Sequence, residues 1–233
     1  MDEQNWLNQR KARFTASQIY KLFTEPSTKA DKEAGLLSKT AKDYIIEVAI
    51  EQLTGYRKEI SGVALDHGNQ FEQEAFNAFK ELTGLDFDFT GNVFYPLGEN
   101  SGASPDGVEY DGLDVVSVAD VKCPWSPISF YNQKMMMNSD SKYQGVPVEY
   151  FYQVQLQMLS TGANKAYLVR YLADRTQDKF GNTVEYNLPP ENRIFYKIVY
   201  SDKDVQSQIL SKIAKADEYR KQVIQEFLTI NNK

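Results

Sequence analysis

Apolar residues recur every three or four positions in several stretches of this chain. Between about Ser38 and Leu53 this spacing places Ile45, Ile46 and Ala49 on one face, and Gly55 follows, so we predict a helix that ends there. The same criteria predict helices over about 68–82, 126–135 and 150–159, a short helix that Thr15 caps with Gln18 three residues later, and a long final helix capped by Asp202.

Other apolar stretches are shorter and have the composition of strands. They predict strands over about 87–95, 108–110, 115–119, 166–171 and 194–200. The polar segments 24–37 and 138–145 are predicted to be loops. Helices that alternate with strands in this way indicate an α/β fold with a mixed central β-sheet flanked by helices.

One predicted β-hairpin contains residues that could bind a metal ion. Ser104-Pro105-Asp106-Gly107 precedes its first strand, Asp111-Gly112-Leu113-Asp114 forms its turn, and Asp120-Val121-Lys122 ends its second strand. We therefore expect Asp106 and Asp120 to be neighbours on paired strands. The period of two places Asp120 and Lys122 on one face and turns Val121 into the core. Two carboxylates and an ammonium can hold Mg²⁺ or Mn²⁺ beside a scissile phosphate, whereas Zn²⁺ prefers other ligands.

Two further polar side chains lie on predicted helices near this hairpin. Glu72 lies at the edge of an apolar stripe, so its carboxylate can reach a metal held between the strands. Gln155 is one turn from both Phe151 and Leu159 and is expected to face inward. A buried amide needs hydrogen-bond partners, and a reacting water or a phosphate would provide them.

The composition excludes several other kinds of site. Cys123 is the only cysteine, which rules out an internal disulfide, a four-cysteine zinc site and a cysteine-ligated iron–sulfur cluster. His67 is the only histidine, so no catalytic set that needs two histidines can form. The N-terminus is acidic and polar, and no apolar run is long enough to span a bilayer. We therefore expect a soluble, intracellular protein.

The charge is unevenly distributed along the chain, whose net charge is −6. Residues 1–58 carry 10 basic and 8 acidic side chains, residues 59–149 carry 4 and 15, and residues 150–233 carry 12 and 9. The acidity is thus concentrated around the predicted metal site, where a divalent cation would offset part of it. The mildly basic flanking segments can contact phosphates.

Taken together, these motifs resemble the phage lambda exonuclease and YqaJ-like viral recombinase family of the PD-(D/E)xK nuclease superfamily. The resemblance covers about residues 6–172. It rests on Trp6-x-x-x-Arg10, Phe14-Thr15-Ala16-Ser17, Leu65-x-x-Gly68-x-Gln70-Phe71-Glu72, Ser104-Pro105-Asp106-Gly107, Asp120-Val121-Lys122-Cys123-Pro124 and Gln153-Val154-Gln155. Glutamate is common in the family at the position of Asp120, and the superfamily pattern allows either.

The resemblance implies a role for each of these residues. Asp106, Asp120 and the Val121 carbonyl would hold metal ions, two in each active site, and Glu72 would complete the shell of the second. Lys122 and Gln155 would orient the nucleophilic water. Arg10, Thr15 and Ser17 would bind the 5′-phosphate of the DNA end. Leu65 would act as a wedge that separates the terminal base pairs.

The resemblance also implies a function. The chain would be a Mg²⁺-dependent 5′ to 3′ exonuclease, with Mn²⁺ able to substitute, that digests one strand of linear double-stranded DNA and leaves 3′ tails for recombination by strand annealing. It would form a homotrimer and work with a single-strand annealing protein. A single nuclease domain would span residues 1–233, with end-binding helices over about 1–60, a catalytic core over 61–200 and a C-terminal helix over 202–230.

Two alternatives remain open. A structure-specific or restriction-type endonuclease would use the same Asp106, Asp120 and Lys122 chemistry without needing a DNA end. A non-catalytic DNA recombination partner would have a vestigial acidic site, although every motif position is present here. A metabolic α/β enzyme finds no support, because the chain has no glycine-rich phosphate loop and no Ser-His-Asp or Cys-His set.

Overall fold

A computed structural model describes residues 3–57, 62–138, 143–177 and 180–229. The α-helices are α1 (Glu3–Arg10), α2 (Lys29–Glu33), α3 (Lys39–Thr54), α4 (Val63–Thr83), α5 (Pro127–Met137), α6 (Val148–Thr161) and α7 (Lys203–Thr229). Short 3₁₀ helices span Ala16–Phe23, Tyr143–Gly145 and Pro190–Asn192. The strands are β1 (Phe14–Thr15), β2 (Phe87–Phe89), β3 (Tyr95–Leu97), β4 (Ser101–Ala103), β5 (Gly107–Asp111), β6 (Asp114–Lys122), β7 (Lys165–Tyr171), β8 (Arg175–Gln177), β9 (Thr183–Glu185) and β10 (Ile194–Tyr200).

The central sheet has five strands in the order β10-β7-β6-β5-β2. Strands β6 and β7 run parallel, and the other neighbours are antiparallel. The parallel pair requires a crossover, which α5 and α6 provide. Two small sheets, β1-β4-β3 and β8-β9, lie outside the central one. The predicted α/β fold with a mixed sheet and flanking helices is confirmed.

The two faces of the central sheet pack against different helices. The apolar stripe of α4 packs on one face, where it buries Phe71, Phe76 and Phe79 against Ala119, Val121, Tyr167 and Val169. The alternate residues of β6 and β7, such as Val118 and Leu168, face a larger core formed with α3, α6, α7 and the first 3₁₀ helix. Because β6 alternates, Asp120 and Lys122 lie on one face, as predicted, and this face is the one that packs against α6.

Local capping explains why most predicted helix boundaries are close to the observed ones. The Ser38 hydroxyl accepts a hydrogen bond from Ala41 N at 3.0 Å, and Gly55 ends α3 in the left-handed conformation. Asp202 Oδ1 accepts from Asp204 N and Val205 N, both at 3.0 Å, and so caps α7 as predicted. The helix after Thr15 is 3₁₀, and the predicted side-chain cap by Thr15 is absent.

Two other boundary predictions were wrong or incomplete. The predicted strand over 87–95 is two short strands in different sheets, because a turn at Thr90 interrupts it, closed by a hydrogen bond from Val93 N to Thr90 O at 2.8 Å. The predicted loop over 24–37 contains α2, which Thr28 caps through Asp31 N at 3.1 Å. Residues 139–142 of the second predicted loop lie outside the described residues.

The N-terminal segment is attached to the body by contacts distant in sequence. Strand β1 pairs with β4, and Phe14 N donates to Asn100 O at 2.8 Å. Arg220 of α7 donates to Ala12 O at 3.0 Å and to Asn100 Oδ1 at 2.8 Å. No helix in the described part of the chain combines the length and apolar character needed to cross a membrane.

Candidate active site

Asp106 and Asp120 are brought together by the register of β5 and β6. Gly107 pairs with Ala119, so the residue before β5 lies beside Asp120. Asp106 N donates to Ala119 O at 3.0 Å, and Val121 N donates to Asp106 Oδ2 at 2.6 Å. The backbone of β6 therefore fixes the Asp106 carboxylate, and the two aspartates are neighbours on paired strands as predicted.

Gly107 of this motif is required by packing against α4. A Cβ atom added to it would lie 2.3 Å from Phe76 Cε2, closer than any real contact of this kind. The Phe76 ring therefore fills the space that a side chain at position 107 would need. The small residue allows α4 to lie directly over the strand that begins next to Asp106.

Asp120 is fully buried and is held from three sides. Its Oδ1 atom lies 2.7 Å from Lys122 Nζ in an ion pair. Its Oδ2 atom accepts hydrogen bonds from the side-chain amides of Gln157, at 2.9 Å, and Gln153. Burying a charged carboxylate costs free energy unless ion pairs or hydrogen bonds replace its contacts with water. These three partners provide that replacement and fix the orientation of Asp120.

Lys122 makes a second contact, to the Val121 carbonyl at 3.3 Å from its ammonium nitrogen. Burial acts to lower the pKa of Lys122, but the nearby negative charges of Asp120 and Asp106 outweigh it and raise the pKa. In this arrangement Lys122 is a cation, fixed between a carboxylate and a backbone carbonyl.

Two carboxylates near Asp120, those of Asp106 and Glu72, have raised pKa values. Burial raises the pKa of Asp106 well above its usual value, with smaller increases from the charges of Asp120 and Glu72, while Lys122 and the Val121 N–H oppose the shift. Burial also raises the pKa of Glu72, with Lys122 opposing and Asp120 adding to the shift. Burial is therefore the main cause of both shifts, and the charge of Lys122 opposes it only in part.

This donor set fits a hard divalent cation. Asp106, Asp120 and the Val121 carbonyl offer only oxygen, the ligand type that Mg²⁺ and Mn²⁺ prefer. A divalent charge would also allow the crowded carboxylates to ionise together. Within the described residues no preformed cluster of three carboxylate, histidine or cysteine ligands occurs. The fit therefore depends on two aspartates and a carbonyl, with Glu72 lining the same cavity.

The structure corrects the prediction for Gln155. Its amide nitrogen donates to Tyr200 O at 2.8 Å, and its amide oxygen accepts from Asp202 N at 2.9 Å, so both ends are used at the junction of β10 and α7. Gln153 and Gln157, one helical turn apart, are the glutamines that reach Asp120. Of the three, Gln153 also lines the cavity of about 520 Å³ that is described next and is called the main cavity.

The carboxylates of Glu72, Asp106 and Asp120 form what we call the acidic cluster. A cavity of about 520 Å³ connects this cluster with the N-terminal segment. Glu72, Asp106 and Gln153 line one part of it, and Arg10, Thr15 and Ser17 line another. Two of the residues predicted to hold the metal ions, Glu72 and Asp106, therefore share one space with those predicted to contact the DNA end.

Arg10 is fixed at the wall of this cavity by aromatic stacking. Its guanidinium carbon lies 4.2 Å from the centroid of the Trp6 ring, and its Nε atom is buried with no hydrogen-bond partner among the described residues. Burial, with a further contribution from Arg57, lowers the pKa of Arg10 to about 10. Trp6 Nε1 donates to Ser104 Oγ at 2.9 Å, which ties α1 to the segment before Asp106.

Leu65 lies on a second cavity, of about 530 Å³, that also contacts the acidic cluster. Glu72, Lys122 and Val121 line it together with Leu65, whose side chain is 44% exposed. An exposed apolar side chain at the start of α4 is therefore next to the lysine of the site. This position agrees with the predicted wedge, whose role stays a prediction.

Several residues of the site were not identified from the sequence as functional. Besides Gln153, Gln157 and Trp6, the most notable is Arg170, which is fully buried and pairs with Lys122 in the register of β6 and β7. Its guanidinium stacks over Tyr150 at 4.5 Å and its Nε donates to Gln133 Oε1 at 2.5 Å. The sequence feature that could have identified Arg170 is its charge within an otherwise apolar predicted strand.

Comparison with solved structures identifies the fold. The alkaline exonuclease LHK-Exo from Laribacter hongkongensis is 20% identical, with a TM-score of 0.74 over 98% of this chain and 97% of that one. LHK-Exo in complex with dAMP gives 22% identity and a TM-score of 0.72 at the same coverage. A phage-related exonuclease from Haemophilus somnus 129PT is 23% identical, with a TM-score of 0.74 over 94% and 98%.

Comparison at the sequence level gives the family. No curated protein matches the chain significantly. Residues 5–164, well over half of the 233, match the YqaJ-like viral recombinase domain. The chain therefore belongs to the YqaJ-like viral recombinase domain family, and it has the fold of the alkaline and phage-related exonucleases.

Proposed function

We propose that this protein is a Mg²⁺-dependent exonuclease that digests one strand of linear double-stranded DNA from 5′ to 3′ and leaves 3′ single-stranded tails for recombination by strand annealing. The observation that carries the proposal is the shared cavity, in which Arg10 faces the same space as Asp106, Glu72 and Gln153. The names of the solved relatives and the family match support a nuclease of this type.

The residues of the cluster divide the work of hydrolysing a phosphodiester. A divalent ion bound by Asp106, Asp120 and the Val121 carbonyl would neutralise charge on the phosphate oxygens and favour ionisation of an attacking water. Lys122 adds a fixed positive charge next to the phosphate, and Asp120 keeps it in place through their 2.7 Å ion pair. Gln153 and Gln157 hold Asp120 in one orientation by hydrogen bonds.

The choice of an exonuclease over an endonuclease rests on Arg10. A half-buried arginine whose buried Nε has no hydrogen-bond partner among the described residues is suited to an anionic group. A terminal 5′-phosphate would supply that group, with Thr15 and Ser17 beside it on the same wall. An endonuclease acting within a continuous strand has no need for a site of this kind.

The proposal includes an assembly and partners. A homotrimeric ring would enclose the duplex, so that an acidic chain could act on DNA while basic residues of its first and last segments line the channel. The 3′ tails would be passed to a single-strand annealing protein in the cytoplasm of a bacterial or phage-infected cell. Light scattering on the active enzyme tests the ring, since the mass of a single chain would exclude it.

Digestion of an end-labelled linear duplex tests the activity directly. With Mg²⁺ we expect stepwise loss of the 5′-phosphorylated strand, slower loss from a 5′-hydroxyl end, and none with chelator. A covalently closed plasmid of the same sequence is the control and should remain intact. Cleavage of the plasmid would instead favour the endonuclease, and equal rates on both kinds of end would contradict the phosphate site.

A further inference from the structure

A third cavity lies on the side of α4 that faces away from the acidic cluster. It has a volume of about 160 Å³, and His67 and Gln70 of α4 line it. Successive residues of a helix are turned by about 100°, so these two point roughly opposite to Leu65 and Glu72. The first turns of α4 therefore separate this cavity, which we call the His67 cavity, from the proposed catalytic space.

The His67 cavity contains a buried polar atom with no partner. His67 is 7% exposed, and its Nε2 atom has no hydrogen-bond partner among the described residues. Its ring packs 4.7 Å from that of Phe71, and burial lowers the pKa of the imidazole, which is therefore neutral near pH 7. A neutral imidazole can accept or donate one hydrogen bond to a ligand in the cavity.

The remaining walls suit a neutral planar ring better than a phosphate. The Arg175 guanidinium lies over the Phe71 ring at 5.2 Å and is already ion-paired with Asp174 at 2.5 Å, so its charge is largely balanced. Gln70 and Gln177 add amide groups that can pair with base edges. Trp125, 38% exposed, adds a large aromatic face.

The size of the cavity sets a limit on its occupant. A cavity of roughly 150 Å³ holds one benzene-sized ring. The His67 cavity, at about 160 Å³, has room for one nucleobase and not for a whole nucleotide.

Trp125 also places this cavity next to the predicted wedge. It lines both the His67 cavity and the second cavity, which contains Leu65 and Lys122. A duplex opened at Leu65 has one strand entering the acidic cluster. Its other strand must leave on the opposite side of the wedge, which is the side of the His67 cavity.

We propose that the His67 cavity binds a single nucleobase of the uncut DNA strand, close to the point at which Leu65 separates the two strands. This inference rests on the proposed exonuclease function, and it adds a second strand site to it. Holding the uncut strand there would keep the duplex end from closing again between steps.

Fluorescence of 2-aminopurine tests the proposal with the full chain. A duplex with a 3′ tail on the uncut strand carries the probe at one position at a time and is bound without divalent cation, so that it is not digested. We expect quenching of severalfold at one position near the junction and little change at its neighbours. Trp125→Ala should remove this quenching and weaken binding of the tailed duplex about tenfold, the effect of losing one base–aromatic stack, whereas Trp125→Phe should retain most of both.

A matched glutamine pair separates this cavity from the rest of the surface. Gln70 lines the His67 cavity and none of the other cavities described above, while Gln52 is an exposed glutamine on α3. Gln70→Ala should reduce the position-specific quenching, and Gln52→Ala should leave it unchanged. Uniform fluorescence along the uncut strand, or quenching confined to the cut strand, would overturn the inference.

The digestion assay, run on the same duplex with Mg²⁺, distinguishes the two levels of proposal. Digestion together with uniform 2-aminopurine fluorescence would refute the base site alone. Failure to digest any linear duplex would refute the exonuclease and the base site with it.

Discussion

The acidic cluster and the Arg10 end of the cavity are built in different ways. The cluster lies on two adjacent strands of the central sheet, where the pairing of Gly107 with Ala119 sets the positions of both aspartates. Arg10 lies on a short N-terminal helix whose position depends on distant contacts, such as Trp6 with Ser104 and Arg220 with Ala12. The site of the proposed chemistry is thus set by local register, whereas the site proposed to select a DNA end depends on how the chain ends are attached.

The largest effect is expected from changes in the cluster. Asp120→Asn and Lys122→Ala should each slow cleavage of a linear duplex by about 10²- to 10³-fold, because each removes a charge that stabilises the transition state. Circular dichroism should show an intact fold. Lys197→Ala, at a half-buried lysine on β10, is the control and should cleave normally. Wild-type activity of Asp120→Asn with Mg²⁺ would show that the metal assignment is wrong.

A change at Arg10 should act on end selection more than on chemistry. Arg10→Ala should remove the preference for 5′-phosphorylated over 5′-hydroxyl ends, a loss of roughly tenfold or more for one charge-assisted contact. Cleavage of an end that is already engaged, measured in single turnover, should change much less. Arg13→Ala is the matched control, because Arg13 donates to Gly98 O and does not line the main cavity. If Arg10→Ala keeps the preference for 5′-phosphorylated ends, the phosphate-binding site does not lie in this cavity.

Two glutamines of α6 should differ in what their replacement changes, one affecting stability and the other the rate of cleavage. Gln155→Ala removes the partner of Asp202 N and one of the two donors to Tyr200 O, the other being Gln144, so the free energy of unfolding in urea should fall by about 1–3 kcal/mol while cleavage by the folded enzyme is retained. Gln153→Ala should instead slow cleavage roughly tenfold through the loss of a hydrogen bond to the Asp120 carboxylate. The opposite pattern would restore Gln155 to the site.

The smallest expected effect is on thermal stability as a function of pH. A carboxyl group whose pKa is raised on folding stabilises the folded state at low pH, and that stability is lost as pH rises from the ordinary value of 3.8 toward the raised one. Without divalent cation, the melting temperature should therefore fall over this range. Mg²⁺ should restore a few degrees, more at pH 8 than at pH 5. Asp106→Asn, which lacks the carboxyl group with the raised pKa, should show a weaker dependence of the melting temperature on pH. An equal Mg²⁺ effect at both pH values would argue against Asp106 as the origin of this pH dependence.

Sequence alone was sufficient where the structure follows local rules. The turn between β5 and β6 and the period of two along β6 were enough to place Asp106, Asp120 and Lys122 together. The choice of Gln155 was wrong because residues 151–158 of α6 are all buried. Apolar neighbours such as Phe151 therefore could not indicate which face of the helix meets Asp120. The spacing of four between Gln153 and Gln157 would have been the better guide.

Other features depend on pairing between distant segments and have no local pattern. Strand β1 has only two residues and exists because it pairs with β4, far away in sequence. The hairpin β8-β9, which contributes Arg175 to the His67 cavity, is polar and was not predicted. That cavity therefore could not be anticipated, although His67 and Trp125 are conspicuous as rare residue types.

The contact between Gly107 and Phe76 affects how related sequences should be interpreted. Because the glycine is required by the packing of α4 and not by the reaction, a chain could lose its nuclease activity and still need Gly107. Presence of the glycine in another sequence would then report only the architecture. The residues that indicate an active enzyme are the neighbouring Asp106 and the pair Asp120 and Lys122. A degenerate copy of this gene should be recognised by their loss while the glycine persists.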